Sequence, residues 1–291
     1  MLHYQLQQLQ AVPLAANITA AIEEGVNGIT GWHNVFQQPA LAEYRIKVVT
    51  TDQLPGFNGI TVPNLYLNTA NNIVYTTALA RRLALLANDV DRTDMVIFLN
   101  STEINNNTNP QNFARILAMH ECCHGLGFLG LCNIVNNGAG NIGQYSSDSL
   151  IAAIQPLLNG LVAHYALADI GVLIPFWNDL NNPMNPNSAA NLNGHQTVFC
   201  QLWNNAPVNN TLSLANRLRG LNNAGLLAED FQLTANSVAY DLFTPIPFIP
   251  FTSADHLQAH YDHCLMRAGD IPNQPGGVDA ITMAIMNQLG W

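Results

Sequence analysis

The stretch NPQNFARILAMHECCHGLGF, Asn109 to Phe128, decides the fold. Asn109 suits a helix N-cap and Pro110 the first helical position. Phe113, Ile116, Leu117 and His120 recur at i, i+3, i+4 and i+7, the period of an amphipathic helix. Gly125 and Gly127 are expected to stop it just past His124. The pattern predicts a helix over about 109–125, with His120 and His124 one turn apart on one face. That spacing lets two imidazoles reach one tetrahedral zinc at about 2.0–2.1 Å. Glu121 then lies beside the metal without having to ligate it, and can take a proton from water activated there. The bland alternative is a pair of core histidines that only hydrogen-bond. The intervening glutamate and the cap and stop around the motif weigh against it.

Before this helix, helical and extended signals alternate. Residues 16–26 read as a short helix, Tyr44 to Thr50 as a strand, and Ile60 to Leu67 as a strand that Pro63 confines to an edge or breaks. Residues 72–75 are β-rich, Thr77 to Ala87 reads as helix, and Met95 to Leu99 is an apolar run suited to a buried strand. The fold class expected is α+β, a twisted sheet backed by helices, with the active-site helix in an N-terminal lobe of residues 1–130. Residues 131–253 are loop-rich and read as a long insertion, with helical patches near 149–168 and 212–228. Residues 131–291 form the expected C-terminal lobe, mostly helical, closing on a helix faced by Val278, Ile281, Ile285 and Leu289. The two lobes are expected to make one catalytic domain.

Composition removes several function classes. Only 10% of the 291 residues are charged, against about 25% in ordinary soluble proteins. Asparagine takes much of the place of charge, with 37 residues, and Lys47 is the sole lysine. Nine Lys and Arg against nineteen Asp and Glu give a net charge of −10. No basic stripe exists to bind nucleic acid, and no apolar run approaches the roughly 18 residues that span a bilayer. The scarcity of charge predicts few salt bridges in a cleft and a taste for apolar or small substrate side chains. The N-terminal stretch lacks a basic segment followed by an apolar one, so no signal peptide is expected. Cys122, Cys123, Cys132, Cys200 and Cys264 are too few for a disulfide scaffold. Buried free thiols, or one pair such as Cys132 with Cys200, are the expectations.

A zinc site needs a third protein ligand. No Glu occurs between Glu121 and Glu229, which removes peptidases that use a glutamate about twenty residues downstream. Six residues past His124 stands Gly130, so a third histidine there is also excluded. Asp148, Asp169, His164, His195, His256, His260 and His263 remain. His256, His260 and His263 have spacings that could share one helical face, and the spacing leaves all three open.

The chain resembles the leishmanolysin-like branch of the metzincin zinc peptidases and its bacterial relatives. The shared features are HECCHGLGF at 120–128, Ser253-Ala254-Asp255-His256-Leu257 about 130 residues later, Cys264-Leu265-Met266, and a last helix ending in Gly290-Trp291. The resemblance is strong over 109–130 and 240–291. It implies a zincin-like fold, His256 as third ligand, and Met266 as the methionine of a packing turn beneath the metal. It departs at Gln258, where family members often carry Asp, and at the Cys122-Cys123 pair, read here as small core residues, with Cys122 pointing away from His120 and His124.

The reading that results is a zinc endopeptidase. Zn2+ is held by His120, His124 and His256, Glu121 is the general base, and the substrate is an extended protein or peptide paired with a sheet edge. The rival is a non-catalytic binding protein with a structural zinc. A monomer is expected, acting outside the cell as a mature or leaderless form, with the cytoplasm as the alternative compartment.

Overall fold

The computed structural model describes residues 2–28, 44–54, 56–87, 92–130, 147–166, 195–202, 232–243, 256–269 and 278–291, with a few single positions between 170 and 192. The expected helical patch at 212–228, Cys132, Asp169 and Ser253 to Asp255 lie outside them. The class is α+β: mixed sheets packed against the helix that carries two of the histidines.

The main sheet holds β1 (Leu2–Gln8), β2 (Tyr44–Thr51), β6 (Met95–Asn100) and β3 (Gly59–Pro63), in the order β1-β2-β6-β3. The first three are parallel, and β3 runs antiparallel at the edge, with Thr61 opposite Ile97. The alternating Leu2, Tyr4 and Leu6 of β1 carry a strand signal that the reading above passes over. Pro63 does both things expected of it. It closes an edge strand and separates β3 from β4 (Leu65–Asn68), which pairs with β5 (Ile73–Thr76) in a second sheet. β7 (Gln196–Thr197), within the expected insertion, joins that second sheet alongside β5.

Strand alternation gives the main sheet two apolar faces. Ile46, Val48, Met95, Ile97 and Leu99 share a core with α1 (Ala16–Asn27) and α4 (Pro110–Leu126). Val49, Ile60, Val62, Val96 and Phe98 share the other with Ile154, Leu157 and Leu161 of α5 (Ser147–His164). Helices thus cover both faces. Three short pieces complete the described fold. They are α2 (Thr77–Arg82), α3 (Ser101–Asn106) and the hairpin of β8 (Gln232–Ala235) and β9 (Val238–Asp241). The final helix, α6, spans Ala280–Leu289. The hairpin turns through Asn236 and Ser237, both at positive φ as a two-residue β-turn requires.

Two helix ends differ from expectation. α2 stops at Arg82, not Ala87, because Ala84 takes a left-handed conformation. Leu85 N–H then donates to Ala80 O at 2.8 Å and Ala84 N–H to Arg81 O at 3.0 Å, which closes the helix as a Schellman motif. α4 runs through Gly125 and stops at Gly127, whose φ is 125°. Gly125 serves a different purpose: a Cβ there would lie 2.2 Å from Met95 Sδ, so the glycine lets α4 settle onto β6 with the Met95 side chain where it is.

Candidate metal centre

The sequence makes α4 an interior helix. Asn109 caps it by accepting from Asn112 N–H at 3.3 Å, and every residue from Ile116 to Leu126 is buried. Two polar rings and a carboxyl therefore sit in the core, and each must find partners. His120 Nδ1 is 2.7 Å from Leu265 O, and His124 Nδ1 is 2.7 Å from Phe128 O. A carbonyl only accepts, so Nδ1 carries the proton in both rings and the neutral tautomer leaves Nε2 as a bare lone pair. Burial pushes both pKa values below the usual histidine value. For His124 the neighbouring imidazoles of His256 and His120 push further. Both rings are thus kept in the neutral form that binds metals.

His256 arrives from a distant part of the chain and is held by main-chain bonds on both sides. Phe243 N–H donates to His256 O at 2.8 Å, and Leu257 N–H donates to Met266 O at 2.8 Å. Ala268 N–H donates to Leu257 O at 2.8 Å. Its Nε2 is 3.2 Å from that of His120 and 3.3 Å from that of His124, which are themselves 3.2 Å apart. Two bare lone pairs facing each other at this distance repel unless a cation lies between them. A tetrahedral centre with metal–nitrogen bonds of about 2.0–2.1 Å has nitrogen–nitrogen edges of about 3.3–3.4 Å, whereas 90° ligand angles need about 2.9 Å. The three histidines can hold a metal ion.

Glu121 sits one residue along from His120, beneath β3. Thr61 Oγ1 lies 2.8 Å from its Oε2 and 2.9 Å from its backbone oxygen. Burial raises its carboxyl to about 8, and the Thr61 hydroxyl pulls it back. A Cβ on Gly59 would come within 2.7 Å of Glu121 Oε1, so the missing side chain makes room for the carboxyl. The three histidines and Glu121 open into a cleft lined by residues 56–61 on one side and by Arg267 and Gly269 on the other. Asn100 secures the upper rim: its Nδ2 donates to Leu54 O at 2.9 Å and Phe57 O at 3.0 Å.

The turn below is equally tied. Met266 is fully buried in the main core, and its neighbours carry the polar contacts. Leu265 O takes the His120 ring proton, while Leu265 N–H donates to Asp279 Oδ2 at 2.7 Å. Asp279 also caps α6, accepting from Ile281 and Thr282 N–H at 3.0 and 2.9 Å.

The other candidates lie elsewhere. His260 and His263 are exposed, and His260 faces Asp241 at 3.5 Å. His164 is exposed near the end of α5, its Nδ1 on Gly160 O at 2.8 Å. His195 is half-buried and is not among the residues lining the cleft, and Asp148 falls within the span of α5. Cys122, Cys123 and Cys264 are free and buried, Cys200 is buried, and the suggested pair of Cys132 with Cys200 falls outside the described residues because of Cys132. Burial raises all the shifted thiols, Cys264 to about 12, so they are inert core groups. Thr61, Gly59, Arg267 and Asp279 escape the sequence reading. Each meets the site through strand register or a turn, neither of which has a period that joins it to the helix motif.

No family model matches the chain, and no curated protein or solved structure matches it. Among the described residues, no helix is long and apolar enough to cross a membrane.

Proposed function

We propose that the chain is a zinc-dependent endopeptidase of zincin type, a single catalytic domain in which His120, His124 and His256 hold Zn2+. The observation that carries this reading is the convergence of three Nε2 atoms with tetrahedral spacing beside a buried glutamate and an open cleft. When bound, zinc supplies a Lewis acid that polarises a carbonyl oxygen and acidifies water. Its identity is favoured by the all-imidazole donor set and the edge lengths.

The chain's own residues have distinct tasks. Glu121 accepts a proton at its carboxylate and passes it to the leaving amine, with Thr61 fixing the Oε2 end. Leu265 O and Phe128 O hold the two helix imidazoles in the ligand tautomer. Among the described residues β3 pairs only with β6, so its outer edge is available to an extended peptide that adds to the sheet. A purely structural zinc has no use for a base and a cleft at this position.

Glu121→Ala should keep its zinc and lose about 10²–10⁴-fold in cleavage of an unfolded protein substrate. Cleavage at the wild-type rate would sink the mechanism. His256→Ala should lower zinc content far more than His263→Ala, and the reverse order would move the third ligand.

A further inference from the structure

A strong cation lines the cleft. Arg267 is the only Lys or Arg among the described residues that line it. Its backbone bridges to Leu257, the residue after His256, so the ladder that holds the third histidine also fixes Arg267 beside it. The guanidinium is poorly employed. Nη1 lies 3.2 Å from Asp262 Oδ1, but the Asp262 side chain is 77% exposed, and such surface pairs contribute little. Nη1 also reaches Asp262 O at 3.5 Å. The Arg267 side chain is only 19% exposed, and its Nε is buried with no hydrogen-bond partner among the described residues. Within the protein such a donor is costly, because nothing replaces its lost water. Gly269 lines the same rim, and a Cβ built on it would meet nothing within 4 Å.

We infer that Arg267 is a specificity-determining residue that receives a carboxylate of the substrate close to the scissile bond. The inference rests on the hydrolytic reading above. A guanidinium that lines the cleft can meet a planar carboxylate in two parallel bonds, which Lys or a neutral amide does not reproduce. Among the described residues that line the cleft, Glu121 is the only acidic one, and it is already engaged by Thr61. The preference is therefore for acidic peptides, not the apolar or small side chains that composition suggests. The carboxylate comes either from an Asp or Glu side chain or from the peptide's C-terminus.

The test uses the zinc-loaded full chain and a set of quenched fluorescent peptides. Glu, Gln and Leu are placed in turn at each position around the cleaved bond, with free and amidated C-termini. The wild type should favour Glu over Gln at one position by about 10–100-fold in kcat/KM, the size expected of a charged hydrogen bond. Arg267→Gln should bring that ratio to about one, and Arg267→Glu should invert it towards peptides with Lys or Arg there. If the preference survives amidation, the side chain is the source. If it depends on a free terminus, the chain end is. A flat Glu-to-Gln profile, or a preference unchanged in Arg267→Gln, overturns the assignment. Zinc-loaded wild type that cleaves neither these peptides nor an unfolded protein overturns the hydrolytic reading, and this inference with it.

Discussion

Glu121 is the residue where stability and chemistry pull against each other. Its carboxyl is buried, with folded-state pKa raised from 4.5 to about 8. In metal-free protein the unfolded chain therefore releases the proton first as pH rises, and the native state holds it longer. Stability contributed by the neutral acid is fully present below about 4.5 and is lost as pH climbs towards 8. Glu121→Gln removes that loss. Metal-free thermal melts of the two proteins should coincide near pH 4 and diverge in favour of the variant up to about pH 8, by a few kcal/mol at most. Curves that stay parallel would mean the carboxyl is hydrated. Gly59→Ala probes the same group sterically. Its new Cβ would press within 2.7 Å of Oε1, and such displacement of a base can cost about 100-fold in kcat/KM with metal content unchanged. His120, Glu121 and His124 are legible in the sequence because one helical turn sets their spacing. Thr61, Gly59 and Arg267 are not, since their nearness depends on how a strand edge and a turn meet α4. His256 stands between these cases: spacing leaves it level with His260 and His263, and it is the main-chain clamp by Phe243 and Met266 that brings its ring to the other two.

At the scale of elements, the end of one helix orients a ring of the histidine cluster on another. Asp279 caps α6 and holds Leu265 N–H, while Leu265 O holds the His120 ring. Asp279→Ala loses the cap, worth about 0.5–2 kcal/mol, and frees the Leu265 turn. Zinc affinity, measured by competition with a chromophoric chelator, should weaken about 10–100-fold. Thr282→Val loses a hydroxyl bond to the same carboxylate but leaves Leu265 tied, and should keep its affinity. Equal affinities in wild type and Asp279→Ala would show that the Leu257–Met266 ladder fixes the turn alone. Element types were largely readable from period and punctuation, as β2, β6, α4 and α6 illustrate. Ends were less so. α2 is closed by an alanine in a left-handed conformation, which no residue preference announces. The second glycine of Gly125 and Gly127 ends α4, while the first serves contact with Met95. A single chain of letters does not separate these two uses of glycine.

At the scale of the whole molecule, asparagines among the described residues stand in for charge where backbone needs a partner. Asn109 caps α4, and Asn100 caps α3 while also anchoring the rim at Leu54 and Phe57. Their abundance says little about partners and much about how so weakly charged a chain finishes its turns. Saturating zinc at about 100–1,000 times its dissociation constant should stabilise the fold by about 3–4 kcal/mol. For a chain of this size that is a rise of roughly 5–15 °C in Tm on adding zinc to chelated protein. His256→Ala should abolish most of the rise, and a shift that persists would place the ion elsewhere. His124 and His256 are 132 residues apart in sequence, yet their ring nitrogens are 3.3 Å apart. An ion at that point is a removable cross-link. It turns the span that contains α5, β7, β8 and β9 into a closed loop, with the conformational restriction that loop closure brings to an unfolding chain. Stripping the ion opens the loop, leaving Leu257, Met266 and α6 joined to α4 by packing and by the hydrogen bonds of the His120 ring to Leu265 O and of Trp291 Nε1 to Leu126 O.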